Sequence, residues 1–124
     1  MAEYLLRSFD NSLEVYSAGS KPEKEVNPMS IVVMNELGID LSDAIPKIVD
    51  NFISEPFDYV ITVCDNAKEH CPVFLGQVKN RLHIGFKDPA DAVGTKKEVK
   101  YVYRKIRDQI KDEFYQFYKQ IKNK

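Results

Sequence analysis

Tyr59-Val60-Ile61-Thr62-Val63-Cys64 is a continuous β-branched and apolar run that ends on a cysteine. A run of this kind suits a strand covered on both faces, as in a parallel sheet packed between helices. Parallel neighbours need crossover connections, so helical patterns are expected on either side of it.

Those patterns are present. On the C-terminal side, Arg81 to Ile84 reads as a second short strand that leads into the loop Gly85-Phe86-Lys87-Asp88-Pro89-Ala90. Beyond it Val99, Val102, Tyr103, Ile106, Ile110, Phe114, Phe117 and Ile121 recur at three- and four-residue steps, which predicts one long amphipathic helix over residues 96–121 with a solvated basic tail. On the N-terminal side, Asn27-Pro28 offers a cap and a first-turn proline. Met29, Val32, Val33 and Leu37 then share a face, and Gly38 is the stop. Residues 45–54 are ambiguous, with a short helix after Pro46 as one reading. Residues 13–18 alternate with period two and predict a third strand. Ala2, Leu5, Leu6 and Phe9 lie at helical spacing, so the chain opens inside a helix. The fold class expected is α/β, a parallel sheet flanked by helices, in a single domain over residues 1–124.

Composition narrows the function. The net charge is -1, with 18 basic and 19 acidic residues mixed along the chain, so there is no strong field for nucleic acid or an anionic membrane. No basic segment precedes an apolar core near Met1, and no window approaches the length of a membrane span, which points to a soluble, cytoplasmic protein. In that compartment structural disulfides are uncommon, so the two cysteines read as buried thiols, metal ligands or redox-active groups.

Cys64 stands where open α/β sheets bind ligands, outside the carboxyl end of a strand; the plain alternative is a small buried hydrophobe. Cys71 follows seven residues later in a polar segment. A disulfide between them needs Cα atoms within about 7 Å, so a fixed helix between the two would have to unwind, coupling redox state to shape. Metal binding by Cys64, His70, Cys71 and His83 is a rival, though the spacing lacks the close cysteine pairs of zinc sites and the two histidines read more simply as ordinary polar residues. Asp88 before Pro89 is either a general acid on a post-strand loop or an ordinary turn residue. There is no glycine-rich phosphate loop and no serine-centred triad.

Taken in order, MAEYLLRSF, VYSAG, VNPMSIVVMNELGIDLS, DYVITVCDNAKEHCP, HIGFKDPA and RKIRDQI resemble the thioredoxin-coupled arsenate reductases of the low-molecular-weight tyrosine phosphatase superfamily. The resemblance runs through nearly the whole chain. It implies a relay in which a first cysteine, in a Cys-x5-Arg loop, attacks arsenate. A second cysteine then displaces arsenite by forming a disulfide, and a third takes that disulfide over. By resemblance Cys64 is the second thiol, Cys71 the third and Asp88 the general acid, with thioredoxin as reductant, arsenate as substrate and no cofactor or resident metal. Alanine after Pro89, where the phosphatases tend to have an aromatic, leans towards arsenate over phosphotyrosine.

Two departures qualify the resemblance. The family's first strand and Cys-x5-Arg loop fall before the sequence that here begins Met1-Ala2-Glu3, and the 124 residues contain neither. An N-terminally truncated product is therefore the first expectation, inactive as it stands. The absent strand is central in the family, between residues 13–18 and β-strand residues 59–64. Its loss would leave those neighbours about 9.6 Å apart, twice the usual spacing. Re-paired strands or a partner chain are the other ways to close that slot. A non-catalytic binding module and, with an upstream N-terminus, a phosphatase-like hydrolase remain as alternative functions. Secondly, Lys47 stands where some potassium-dependent members carry aspartate, while Glu3 and Ser17 match other ligands of that cation site, so potassium dependence is not expected.

Overall fold

A computed structural model describes residues 1–19, 25–64 and 74–122. Strands β1 (Phe57–Thr62) and β2 (Val78–His83) run parallel, with Tyr59 opposite Asn80 and Thr62 opposite His83. Helices α1 (Ala2–Phe9), α2 (Pro28–Asn35) and α3 (Lys96–Lys122) complete the architecture, with single 3-10 turns at Val49–Phe52 and Pro89–Asp91. The ambiguous stretch after Pro46 thus becomes a 3-10 turn.

The core forms along α3, as its periodicity predicts. Tyr103, Ile106, Ile110, Phe114 and Phe117 are buried on one stripe. Leu5 and Leu6 of α1, Met34 of α2 and Leu41 join that stripe in one cluster. Each such side chain contributes roughly 1.5–3 kcal/mol on leaving water. In α2 the Asn27 side chain accepts from the Met29 N–H at 2.9 Å, and Pro28 occupies the first turn, where its missing N–H costs nothing. Gly38 follows the helix at φ +76°, with the Ile39 N–H returning to the Met34 carbonyl at 3.1 Å.

Three expectations need correction. Residues 13–18 keep the alternation, Leu13 and Val15 half-buried and Glu14 and Tyr16 exposed, but they belong to no strand. The Val15 carbonyl instead accepts the Arg7 guanidinium at 2.5 Å, and the isolated bridge nearby joins Gly19 to Ile48. Alternation records which face is wet, whereas a strand also needs a partner backbone alongside. β1 is not covered on both faces. None of its residues is fully buried; Tyr59 and Ile61 pack on the α3 cluster, the Tyr59 ring meeting Phe117 edge-on at 5.2 Å. In α2 the buried pair is Val33 and Met34, while Val32 is 43% exposed, because two turns of helix meet α3 over Val33.

That contact contains a buried cation the apolar pattern did not announce. Arg107 of α3 donates from Nη1 to the Val33 carbonyl and to Glu36 Oε1, each at 2.8 Å, and from Nε to Asp108 Oδ1 at 2.9 Å. Glu36 also receives Arg104. These hydrogen bonds, those from Arg104 first, pull the Glu36 carboxyl down to about 2 against the opposing effect of its desolvation.

Candidate functional site

The ladder between the strands outlasts the strands themselves. The Ile84 N–H donates to the Thr62 carbonyl at 2.9 Å and the Phe86 N–H to the Val63 carbonyl at 3.1 Å. This brings Cys64, just past the end of β1, beside Gly85, just past the end of β2. The two segments leave side by side from the carboxyl ends of parallel strands, the edge at which open α/β sheets assemble sites.

Cys64 is half-buried and disulfide-bonded, not an inert reduced thiol. Cys71 and His70 lie outside the described residues. Across from Cys64, His83 is held through its ring: Nδ1 lies 2.7 Å from Thr62 Oγ1, and the Thr62 hydroxyl also reaches the Leu82 carbonyl at 3.5 Å. The Thr62 hydroxyl and the His83 ring are thus tied together across the register, with the proton between them on either partner according to the imidazole tautomer. Gly85 leaves room for the ring. A Cβ at this position would sit 2.8 Å from His83 Nε2, closer than real Cβ contacts allow, and in a tight 3.0 Å contact with the Cys64 carbonyl oxygen.

Asp88 follows on the same exit loop. Its Oδ1 accepts from the Ala90 N–H at 2.9 Å and caps the Pro89–Asp91 turn, the role of an ordinary Asp-Pro turn residue. The carboxylate is exposed, and its negative charge, after burial, helps raise the Tyr103 hydroxyl above the usual tyrosine range. The loop is pinned between His83 and Asp88 by Phe86, whose ring stacks on Phe114 with centroids 6.3 Å apart. Asp88 and the Cys64 strand end are therefore carried on adjacent exits with a rigid anchor beneath one of them.

Glu3, Ser17 and Lys47 also come together, lining a cavity of about 400 Å³ with Arg7 and Asp43. Ser17 Oγ donates to Glu3 Oε1 at 2.5 Å, and Arg7 Nη1 pairs with Glu3 Oε2 at 2.9 Å. Both oxygens of Glu3 are thus engaged by the protein. Among the described residues no group of three or more His, Cys, Asp or Glu side chains is arranged to hold a metal ion.

The sequence pattern of the low molecular weight phosphotyrosine protein phosphatases matches residues 1–124. The chain belongs to that family. Similar proteins include the arsenate reductase of Shouchella clausii (strain KSM-K16), 42% identical over 97 residues that make up 78% of this chain and 68% of that protein. The arsenate reductase of Bacillus subtilis (strain 168) is 38% identical over 104 residues, 84% of this chain and 73% of that one. A solved arsenate reductase in its reduced state superposes with a TM-score of 0.74 over 97% of this chain and 86% of the other, at 24% identity, which shows the shared fold. An arsenate reductase in its oxidized state gives 0.73 over 91% and 81%. The α/β fold expected from the sequence, a short parallel sheet with helices, is the fold of this family.

The Thr62, His83 and Gly85 arrangement was not legible beforehand. His83 read as an ordinary polar residue or a stray metal ligand, and the register that sets it against Thr62 pairs positions 21 residues apart. The only local signal was a glycine two residues after a histidine at a strand end.

Proposed function

We propose that these 124 residues carry the thiol-regenerating part of a thioredoxin-coupled arsenate reductase. Cys64 is the thiol that displaces arsenite, Cys71 takes over the disulfide, and Asp88 serves as general acid. Thioredoxin then supplies two electrons and two protons, breaking the bond between Cys64 and Cys71 and taking the disulfide onto itself. Arsenate is the substrate class suggested by the names of the relatives.

The observation that carries the reading is a disulfide-bonded Cys64 at the carboxyl end of β1, in a chain about 40% identical to arsenate reductases. The 124 residues contain no Cys-x5-Arg, so they supply neither the thiolate that attacks arsenate nor the arginine that clamps it. On their own they should not turn arsenate over.

The test is thiol titration. Reduced protein should lose two thiols together under mild oxidant and regain both when thioredoxin, its reductase and NADPH are added. Adding arsenate should leave NADPH consumption unchanged. Failure of the two thiols to pair, or a disulfide that thioredoxin does not reduce, would count against the relay.

A further inference from the structure

Two segments lie along α3 in the same direction without joining backbone to backbone. α1 ends against the later turns of that helix, where Phe9 meets Tyr115 at 5.3 Å between ring centroids and Asp10 accepts the Tyr118 hydroxyl; it packs back along α3 through Leu5 and Leu6, in one cluster with Ile106 and Ile110. Residues 13–18 then retrace α1, the Val15 carbonyl taking Arg7 and the Ser17 hydroxyl reaching Glu3. The four helical residues from Arg7 to Glu3, about 6 Å of helix, are matched by the two from Val15 to Ser17, which is the rise of a strand. β1 follows the same course. Tyr59 meets Phe117 at 5.2 Å, and the ladder continues past Phe86, stacked on Phe114, to the Pro89–Asp91 turn packed on α3. Both segments thus run against α3 and parallel to each other, and Leu13, Val15, Tyr59 and Ile61 rest on the same apolar cluster. They adjoin at Tyr16 and Phe57, whose ring centroids are 6.2 Å apart.

The backbones that face this gap are unpaired. Among the described residues no N–H of residues 14–18 is hydrogen-bonded, and β1 has a ladder on one edge only. The Thr62 carbonyl turns to β2, where it takes the Ile84 N–H, so Ile61, its neighbour in the alternation, turns N–H and C=O to the free edge.

We propose that the gap between residues 13–18 and β1 is a docking slot for one extended segment of a partner polypeptide. Two facing rows of backbone donors and acceptors are complemented at once by a main chain that presents N–H and C=O to both sides. A single strand does so; a helix, whose backbone bonds close on themselves, does not. The floor of the slot is the α3 cluster, so every second residue of the segment, the inward one, is apolar. About six residues match the length of β1 on one side and of residues 13–18 on the other. Docking would join the two-stranded sheet to residues 13–18 through the added strand. The inference does not rest on the thiol relay.

The probe is the acetylated, amidated hexapeptide Lys-Val-Lys-Val-Lys-Val, added to the full chain, and the readout is amide hydrogen exchange followed by mass spectrometry. At about ten times its dissociation constant the peptide should slow exchange about tenfold in residues 13–18 and in β1 together. Two further peptides carry backbone N-methyl groups, one on the lysines and one on the valines. Alternate N–H groups of a strand face opposite edges, so each of these peptides loses its donors on one side only. A slot bonded on both sides should lose most of the protection with either. A methylated peptide that protects as well as the parent would show addition to a single edge and overturn the proposal. Protection of β2 in place of residues 13–18, or no protection at about 1 mM peptide, would overturn it as well. Protection of both segments that grows with protein concentration in the absence of peptide would place a second copy in the slot and refute the partner segment. The readout needs neither arsenate nor thioredoxin, so its outcome stands apart from that of the thiol titration.

Discussion

Replacing Phe114 by alanine tests how the core and the site loop are joined. Phe114 is 4% exposed, stacks on Phe86 at 6.3 Å and meets Phe117 edge-on at the same separation. Removing a buried phenyl ring costs about 3–5 kcal/mol in transfer and cavity energy together. A chain of 124 residues has roughly 6–19 kcal/mol of total stability, so the loss is a large share of it. With a urea slope of about 2 kcal/mol/M, a loss of about 4 kcal/mol moves the unfolding midpoint down by about 2 M. The assay is urea unfolding followed by circular dichroism with the cysteines kept reduced, so that cross-linking does not contribute. Tyr101→Ala on the same helix is the internal control. That ring is 66% exposed, and its loss should change stability by no more than about 0.5 kcal/mol. A Phe114→Ala loss below about 1 kcal/mol, or one no larger than that of Tyr101→Ala, would refute the placement of α3 against the Phe86 loop.

Two further predictions concern α2. Glu36 is held at about 2, below its ordinary value of 4.5, so it contributes stability that is present above about pH 4.5 and is lost as pH falls towards 2. The melting temperature of Glu36→Gln should therefore lie below wild type at neutral pH and converge with it as the solution approaches pH 2. Asp10 and Asp40, lowered by bonds from Ser12 and Ser42, titrate in both proteins and leave the difference intact. A gap that stays constant down to pH 2 would count against the Glu36 assignment. Asn27→Ala should cost about 0.5–2 kcal/mol in urea unfolding while Asn27→Asp stays near wild type, and equal losses in both would rule out the side-chain cap.

By itself the sequence determined what is local or periodic. The stripe from Tyr103 to Phe117 buries as spaced, because a helix repeats its face every 3.6 residues whatever lies opposite. Asn27-Pro28 and Gly38 mark the ends of α2 region by region, because a cap bond and a positive φ are satisfied within a few residues. The strand character of the run into Cys64 follows from β-branching in the same way. Tertiary structure alone decided what depends on a second segment. Residues 13–18 have the alternation of a strand and belong to none, since pairing is supplied by a neighbour and cannot be written into one stretch. Cover on one face of β1 depends on where the α3 cluster docks, and the burial of Arg107 depends on a Val33 carbonyl and a Glu36 carboxylate brought from far along the chain. The imidazole at the exit of the sheet is of the same kind: strand register, not spacing, sets His83 against Thr62, and a missing side chain at Gly85 leaves the ring room.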